Sequence, residues 1–329
     1  MTLLDVSNLS IGYRLRDRLI KAVDSVSFSL EPGKTLGFVG ESGSGKTTIG
    51  MSLLRLLPEN ASVLSGSIRF EGRDVYSLSD ESLRAIRWKK IAMIFQAAMN
   101  ALNPVQRINE QVAEALLIHH PKMSKRDALA RTAQLFESVG IPENRHADYP
   151  HQYSGGMKQR AIIAMALICQ PLLLIADEPT TALDVIVQGQ ILKVIRAIQQ
   201  EMAIAMIFIS HDISVVADVC HDIAVMYGGR IIEAGQRSEI LETPAHPYTR
   251  MLLASNLTLS DHSFDMPTVH QSRKANIRHL GSTKENDMCP FVCHCRQITD
   301  HCQATPQKWM VLSSSHRVFC NNIAGDLTK

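Results

Sequence analysis

No apolar run in this 329-residue chain is long enough to cross a bilayer. The most apolar stretch, Ala161 to Ala176, is broken by Gln170-Pro171, and a membrane span needs about 20 consecutive apolar residues. Work done at a membrane would therefore go through partner chains. The first residues, Met1-Thr-Leu-Leu-Asp5, lack the basic segment followed by an apolar run that marks a secretory leader, so no targeting segment is expected. An excess of one charge is missing too. Lys and Arg number 34 against 32 Asp and Glu, a formal charge of +2, which gives no reason to expect a nucleic-acid partner. No internal repeat is visible.

What is present is ordinary for a soluble globular protein: 45% apolar and 20% charged residues. A chain of this length can bury a large core without cross-links. The seven cysteines are unevenly spread. Cys169 and Cys220 stand alone, whereas Cys289, Cys293, Cys295, Cys302 and Cys320 crowd into the last 41 residues. A metal site is the better expectation for such a cluster than disulfides in a reducing compartment.

Residues 1–255 read as continuous α/β structure. Strands are expected at Leu36–Val39, Ile91–Phe95, Leu172–Ala176 and Ala205–Ile209, and helices at Thr47–Leu57 and Ile186–Met202. Such alternation predicts a mostly parallel sheet with covered faces, an α/β core. The charged interval from about 79 to 154 has a helical pattern and reads as a helical subdomain inserted into that core. From 256 to 329 the chain turns polar and irregular and ends in the cysteine cluster, a small C-terminal arm.

Gly40-Glu-Ser-Gly-Ser-Gly-Lys46-Thr47 fits the spacing G-x-x-x-x-G-K-[ST], between an apolar strand and a helix-like segment. Glycines let backbone N–H groups curl around phosphates, and the helix N-terminus adds positive dipole beneath them. Lys46 can reach the β- and γ-phosphates, and the Thr47 hydroxyl can ligate Mg²⁺. Gly40, Ser42, Gly43, Ser44, Gly45 and Thr48 complete this phosphate-binding set, which makes the α/β core one of the P-loop NTPase type. Farther on, Leu172-Leu-Leu-Ile-Ala-Asp177-Glu178 is an apolar run ending in two acids. Asp177, at the carboxyl end of a buried strand, suits the Mg²⁺ shell, and Glu178 suits a general base for the attacking water.

Ser154-Gly155-Gly156-Met157-Lys-Gln159-Arg160 precedes that strand by a short helix, and with it the chain resembles the ABC-transporter ATPases from residue 1 to about 255. The resemblance implies that Tyr13 stacks on adenine, that Gln96 links Mg²⁺ and water to the permease side, that Ala182-Leu183-Asp184 is the D-loop, and that His211 contacts the γ-phosphate. It implies further that two ATPase subunits pair head to tail, so that Ser154, Gly155 and Gly156 of one complete the nucleotide site of the other. After Gln96, Ala97-Ala98 stand where peptide importers usually carry Asp-Pro.

Three stretches are similar to the dipeptide, oligopeptide and nickel importer branch: Met99-Asn-Ala-Leu-Asn-Pro104, Tyr149-Pro-His-Gln152 and His246-Pro-Tyr-Thr-Arg-Met-Leu-Leu253. The resemblance implies an ATPase energising peptide import, peripheral on the cytoplasmic face of the bacterial inner membrane. Its expected partners are a second ABC ATPase subunit (a heterodimer, with a homodimer as the alternative), two integral-membrane permeases and an external solute-binding protein. Nickel or another small solute, or a soluble non-transport role, are the alternatives. In the branch, Cys289, Cys295, Cys302 and Cys320 correspond to four cysteines that hold a 4Fe-4S cluster; zinc or free thiols are the other readings.

Overall fold

The computed structural model describes residues 2–16, 18–96, 98–181, 183–257 and 288–322. The chain begins with β1 (Leu4–Leu15), β2 (Arg18–Leu30), β3 (Thr35–Val39), α1 (Lys46–Leu53), β4 (Ala61–Phe70), β5 (Arg73–Asp74), α2 (Asp80–Ile86) and β6 (Ile91–Ile94). Three helices follow, α3 (Ile108–His119), α4 (Lys125–Ser138) and α5 (Gly155–Leu167), before β7 (Leu173–Asp177), α6 (Val185–Met202) and β8 (Ala205–Ser210). The remainder is α7 (Ile213–Val219), β9 (Asp222–Tyr227), β10 (Arg230–Gln236), α8 (Arg237–Glu242), α9 (Pro247–Leu257), α10 (Asp300–Ala304), β11 (Trp309–Val311) and β12 (Arg317–Phe319).

Two sheets result. The larger has the order β11-β12-β10-β9-β3-β8-β7-β6, and its centre is parallel: β9, β3, β8, β7 and β6 pair in one direction. β3, β7 and β8 are buried at every position, which is why they read as unbroken apolar runs. The side-chain period of two still sorts them. Phe38, Leu173, Ile175, Ile207 and Ile209 join the core shared with α1 and the smaller sheet. Val39, Leu174, Ala176, Met206 and Phe208 join the core shared with the helices. The large sheet thus separates two cores, and loops at the carboxyl ends of its parallel strands meet on one edge.

The smaller sheet, β2-β1-β4-β5, is antiparallel. Its strands are long and half exposed, with polar residues on the outer face, so they carry little of the buried-strand signal. β6, expected as a strand at Ile91–Phe95, lies inside the 79–154 interval and belongs to the large sheet; α3 and α4 form the inserted part, and Val112, Leu116 and Phe136 bury into the helix-side core. At the other end, β12 of the arm pairs with β10, so the cysteine-bearing segment extends the large sheet. Helix α1 stops at Leu53, four residues short of the expected Leu57, because Arg55 takes φ +51° and its neighbour Leu56 bonds back to Met51 O.

Candidate functional site

The phosphate-type loop links β3 to α1. Gly45 (φ +99°) sits at the helix N-cap, and any Cβ there would lie 2.4 Å from Ala22 O. Gly40 is likewise tied, with 2.1 Å between its would-be Cβ and Met226 O. Gly43 (φ +82°) faces open space, and Ser42 beside it is exposed. Lys46 is buried at the centre. Its Nζ donates to Gly40 O at 2.6 Å, Glu41 O at 2.8 Å and Ser44 Oγ at 3.1 Å. Burial lowers the Lys46 pKa, while the carboxylates of Glu178, Asp177 and Glu41 oppose the shift. Thr48, in the next turn, lies 3.2 Å from the Tyr13 hydroxyl, which brings the end of β1 to the loop.

β7 delivers the acids. Thr47 Oγ1 donates to Asp177 Oδ1 at 3.1 Å, and Asp177 Oδ2 is buried without a partner. Burial pushes the Asp177 carboxyl up to about 6, with Glu178 adding to the rise and Thr47 and Lys46 opposing it. An orphaned carboxylate oxygen beside a threonine hydroxyl at the phosphate loop is the donor set a hard divalent cation takes. Glu178 follows with φ +46°, an uncommon conformation for glutamate, held by its N–H donating to Ile209 O at 2.9 Å. The Glu178 carboxylate gathers three side chains: Gln96 Nε2 at 3.2 Å, Thr181 Oγ1 at 2.8 Å and His211 Nδ1 at 3.2 Å. Sequence reasoning did not single out Thr181. Its signal was available, a hydroxyl three residues after Glu178, the spacing of a local side-chain contact.

The second group of candidate residues lies elsewhere. Ser154 caps α5, accepting from Met157 N–H at 3.3 Å. The would-be Cβ atoms of Gly155 and Gly156 meet Leu183 and Val187, so this segment neighbours the start of α6 in its own chain. Asp184 caps α6 through Val187 N–H at 2.9 Å. Val185 and Ile186 beside it are 84% and 75% exposed, unusual for apolar residues in a folded chain. Ala97 and Ala182 lie outside the described residues.

Cys289, Cys295, Cys302 and Cys320 line one small cavity with His246, while Cys293 is exposed and apart. Burial pushes the Cys289 thiol up to about 12 and raises Cys295 and Cys320 as well. Among the described residues no three side chains of ligand type converge closely enough to hold a metal ion.

Comparison with known proteins matches two family models: "ABC transporter" over residues 23–181 and "Oligopeptide/dipeptide transporter, C-terminal region" over residues 232–302. The chain is 42% identical to the oligopeptide transport ATP-binding protein OppD of Haemophilus influenzae, covering 93% of each chain. It is 46% identical to the dipeptide transport ATP-binding protein DppD of Lactococcus lactis subsp. cremoris, over 82% of this chain and 75% of that one. Among solved structures it resembles the ATP-binding cassette MJ0796 in a dimeric post-hydrolysis state bound to ADP and Pi. That match has a TM-score of 0.64 and 26% identity, over 71% of this chain and 98% of that one.

Proposed function

The chain belongs to the ABC transporter ATPase family, in the dipeptide and oligopeptide importer branch, and from that premise we propose how its residues serve the energising of peptide import by ATP hydrolysis. The observation that carries the reading is the Thr47–Asp177 contact beside buried Lys46, with Asp177 Oδ2 left over.

ATP would lie along the loop from Gly40 to Thr48. The loop amides and the N-terminus of α1 hold phosphate oxygens, Lys46 supplies the mobile positive charge, and Tyr13 faces the base. Thr47 and Asp177 would hold Mg²⁺, with Gln96 as a further group for it, and the ion would supply Lewis-acid charge at the phosphate oxygens. Glu178 takes a proton from the attacking water. His211 and Gln96 orient that carboxylate, as their contacts with it support. Ser154, Gly155 and Gly156 then serve a second ATPase subunit's nucleotide, and Val185 and Ile186 beside Asp184 are the apolar surface that subunit covers. We assign a heterodimer with a related ATPase.

No helix among the described residues is long and apolar enough to cross a membrane. The family implies permease partners and a substrate-binding protein; we place the chain peripherally on the cytoplasmic face of the inner membrane. The four thiols round one cavity are the donor chemistry of a 4Fe-4S cluster, although among the described residues they form no group that could hold a metal ion as they stand. That assignment is tested by iron and visible absorption in an anaerobic preparation; a colourless, iron-free protein removes it.

The function itself is tested in vesicles carrying this chain, its partner ATPase, the permeases and the binding protein. ATP-dependent uptake of labelled di- and oligopeptides is expected. Uptake of nickel and not of peptide would overturn the cargo, and no nucleotide retention or phosphate release would overturn the ATPase.

A further inference from the structure

His246-Pro-Tyr248 opens one of the three stretches that resemble the peptide-importer branch. The structure buries Tyr248 completely, at 0% exposure. Its hydroxyl accepts from Glu41 N–H at 3.0 Å, so the first turn of α9 touches the phosphate loop across 207 residues of sequence. Glu41 N and Gly40 O belong to one peptide unit, and Gly40 O accepts from Lys46 Nζ. That unit is therefore pinned at both ends, by Lys46 on the carbonyl and by Tyr248 on the amide. A phosphate competes with Gly40 O for the lysine ammonium. The Glu41 amide is already bonded to the phenol, so it is not among the loop amides open to phosphate. When Lys46 turns to phosphate, Tyr248 is what keeps this peptide plane in place.

Tyr248 is in turn held by the arm. Its ring packs against Tyr227 and Phe291, with centroids 4.8 Å and 5.3 Å away. Phe291 also packs on His246, at 5.9 Å. His246 Nδ1 accepts from Tyr248 N–H at 3.1 Å, and its Nε2 lies 3.6 Å from Cys289 Sγ. Bonded and packed groups thus run without a gap from the cysteine cavity to the phosphate loop, the kind of contiguous contact that can carry coupling.

We propose that Tyr248 is a positioning residue of the phosphate loop, seated by Phe291 of the cysteine-bearing arm, so that packing of the arm sets the affinity for a nucleoside triphosphate. The inference rests on the nucleotide reading of the loop given above.

The test titrates the full-length chain with a fluorescent ATP analogue and Mg²⁺. Tyr248→Phe keeps the ring and removes only the hydroxyl, so its Kd is expected to rise about 3- to 10-fold, the value of one hydrogen bond, at unchanged binding stoichiometry. Phe291→Leu keeps the hydroxyl and loosens its seat, and Kd should rise in the same direction by less. If the hydroxyl served folding alone, the bound fraction would fall at unchanged Kd, which overturns the proposal. So does an unchanged Kd in Tyr248→Phe or, should that variant not fold, in Phe291→Leu. A wild-type chain that binds no nucleotide overturns the ATPase reading and this inference with it; wild-type binding with unchanged variants overturns this inference alone.

Discussion

Thr47 Oγ1 donates to Asp177 Oδ1 at 3.1 Å, joining the helix of the phosphate loop to the end of β7 and leaving the second carboxylate oxygen of Asp177 buried without a partner. Two elements 130 residues apart in sequence thereby present one hydroxyl and one spare carboxylate oxygen to the same point. A buried polar atom left unpaired costs about 1–3 kcal/mol. A cation bound there would relieve that cost, so the pair is organised before the ion arrives.

Asp177→Asn tests that arrangement. With Mg²⁺ titrated at fixed ATP, the wild-type chain should bind nucleotide more tightly as Mg²⁺ rises. The variant should need on the order of 10- to 100-fold more Mg²⁺, the range lost when a metal ligand's surroundings are disturbed. An unchanged Mg²⁺ midpoint would remove Asp177 from the metal shell.

Glu178→Gln separates binding from chemistry. Gln96, Thr181 and His211 all aim at this carboxylate, and an amide of the same shape keeps an acceptor oxygen but no longer takes a proton. Phosphate release should fall about 10²- to 10⁴-fold, the usual contribution of a positioned base, while ATP still binds and an ATP-loaded dimer accumulates on gel filtration. Hydrolysis at the wild-type rate would strip Glu178 of the base role.

Lys46→Ala removes the mobile charge of the loop. The ammonium makes three contacts with the loop itself, and a charge-assisted bond to phosphate takes over from some of them when ATP binds. The Kd for ATP should rise about 10- to 100-fold, the weight of one charge-assisted hydrogen bond. Equal affinity in calorimetry would refute that role.

Much of this site was legible because it is local. The glycine spacing before Lys46 and the apolar run before Asp177 each announce a strand, a turn and a charge within a few residues. Elsewhere the information is non-local or weak. β1 and β2 are half exposed and their apolar residues alternate with polar ones, so the second sheet left no run to read. Tyr248 meets Glu41 only because β9, β10 and α8 carry the chain back to the loop. The pairing of β12 with β10 depends on Glu233 meeting Val318 and Ala234 meeting Arg317 across a long gap in sequence. The end of α1 was misjudged for a different reason: the apolar pattern continues through Leu57, but Arg55 adopts a left-handed backbone that no side-chain periodicity encodes.

The arm's attachment makes the last prediction. Glu233 in β10 is fully buried, and its carboxylate accepts from Ala245 N–H at 2.7 Å, His246 N–H at 2.9 Å and His316 Nε2 at 2.8 Å. Burial pushes its pKa up, but His316, the Thr249 hydroxyl and the two amides outweigh that and hold it below the ordinary glutamate value. A carboxylate whose pKa is depressed by folding adds stability that is complete above its unfolded pKa and fades as pH falls through the folded one. Unfolding in urea, followed by tryptophan emission, should therefore lose this carboxylate's contribution as pH drops below about 4.3, the unfolded glutamate value, while His246, held neutral by burial down to about 4, adds a decline that starts near its unfolded value of about 6.5. Glu233→Gln should cost about 2–4 kcal/mol at pH 7, because it leaves buried donors poorly matched. It should also flatten part of the acid decline. Asp24, whose pKa is lowered by Lys21 and Arg230 against the effect of burial, titrates in the same direction in both proteins. The Glu233 charge also raises the His246 pKa against the effect of burial, so the difference between the two pH curves reports Glu233 together with its coupling to His246. A variant with the wild-type midpoint at neutral pH, or with an identical acid slope, would show that the arm is held by something other than this carboxylate.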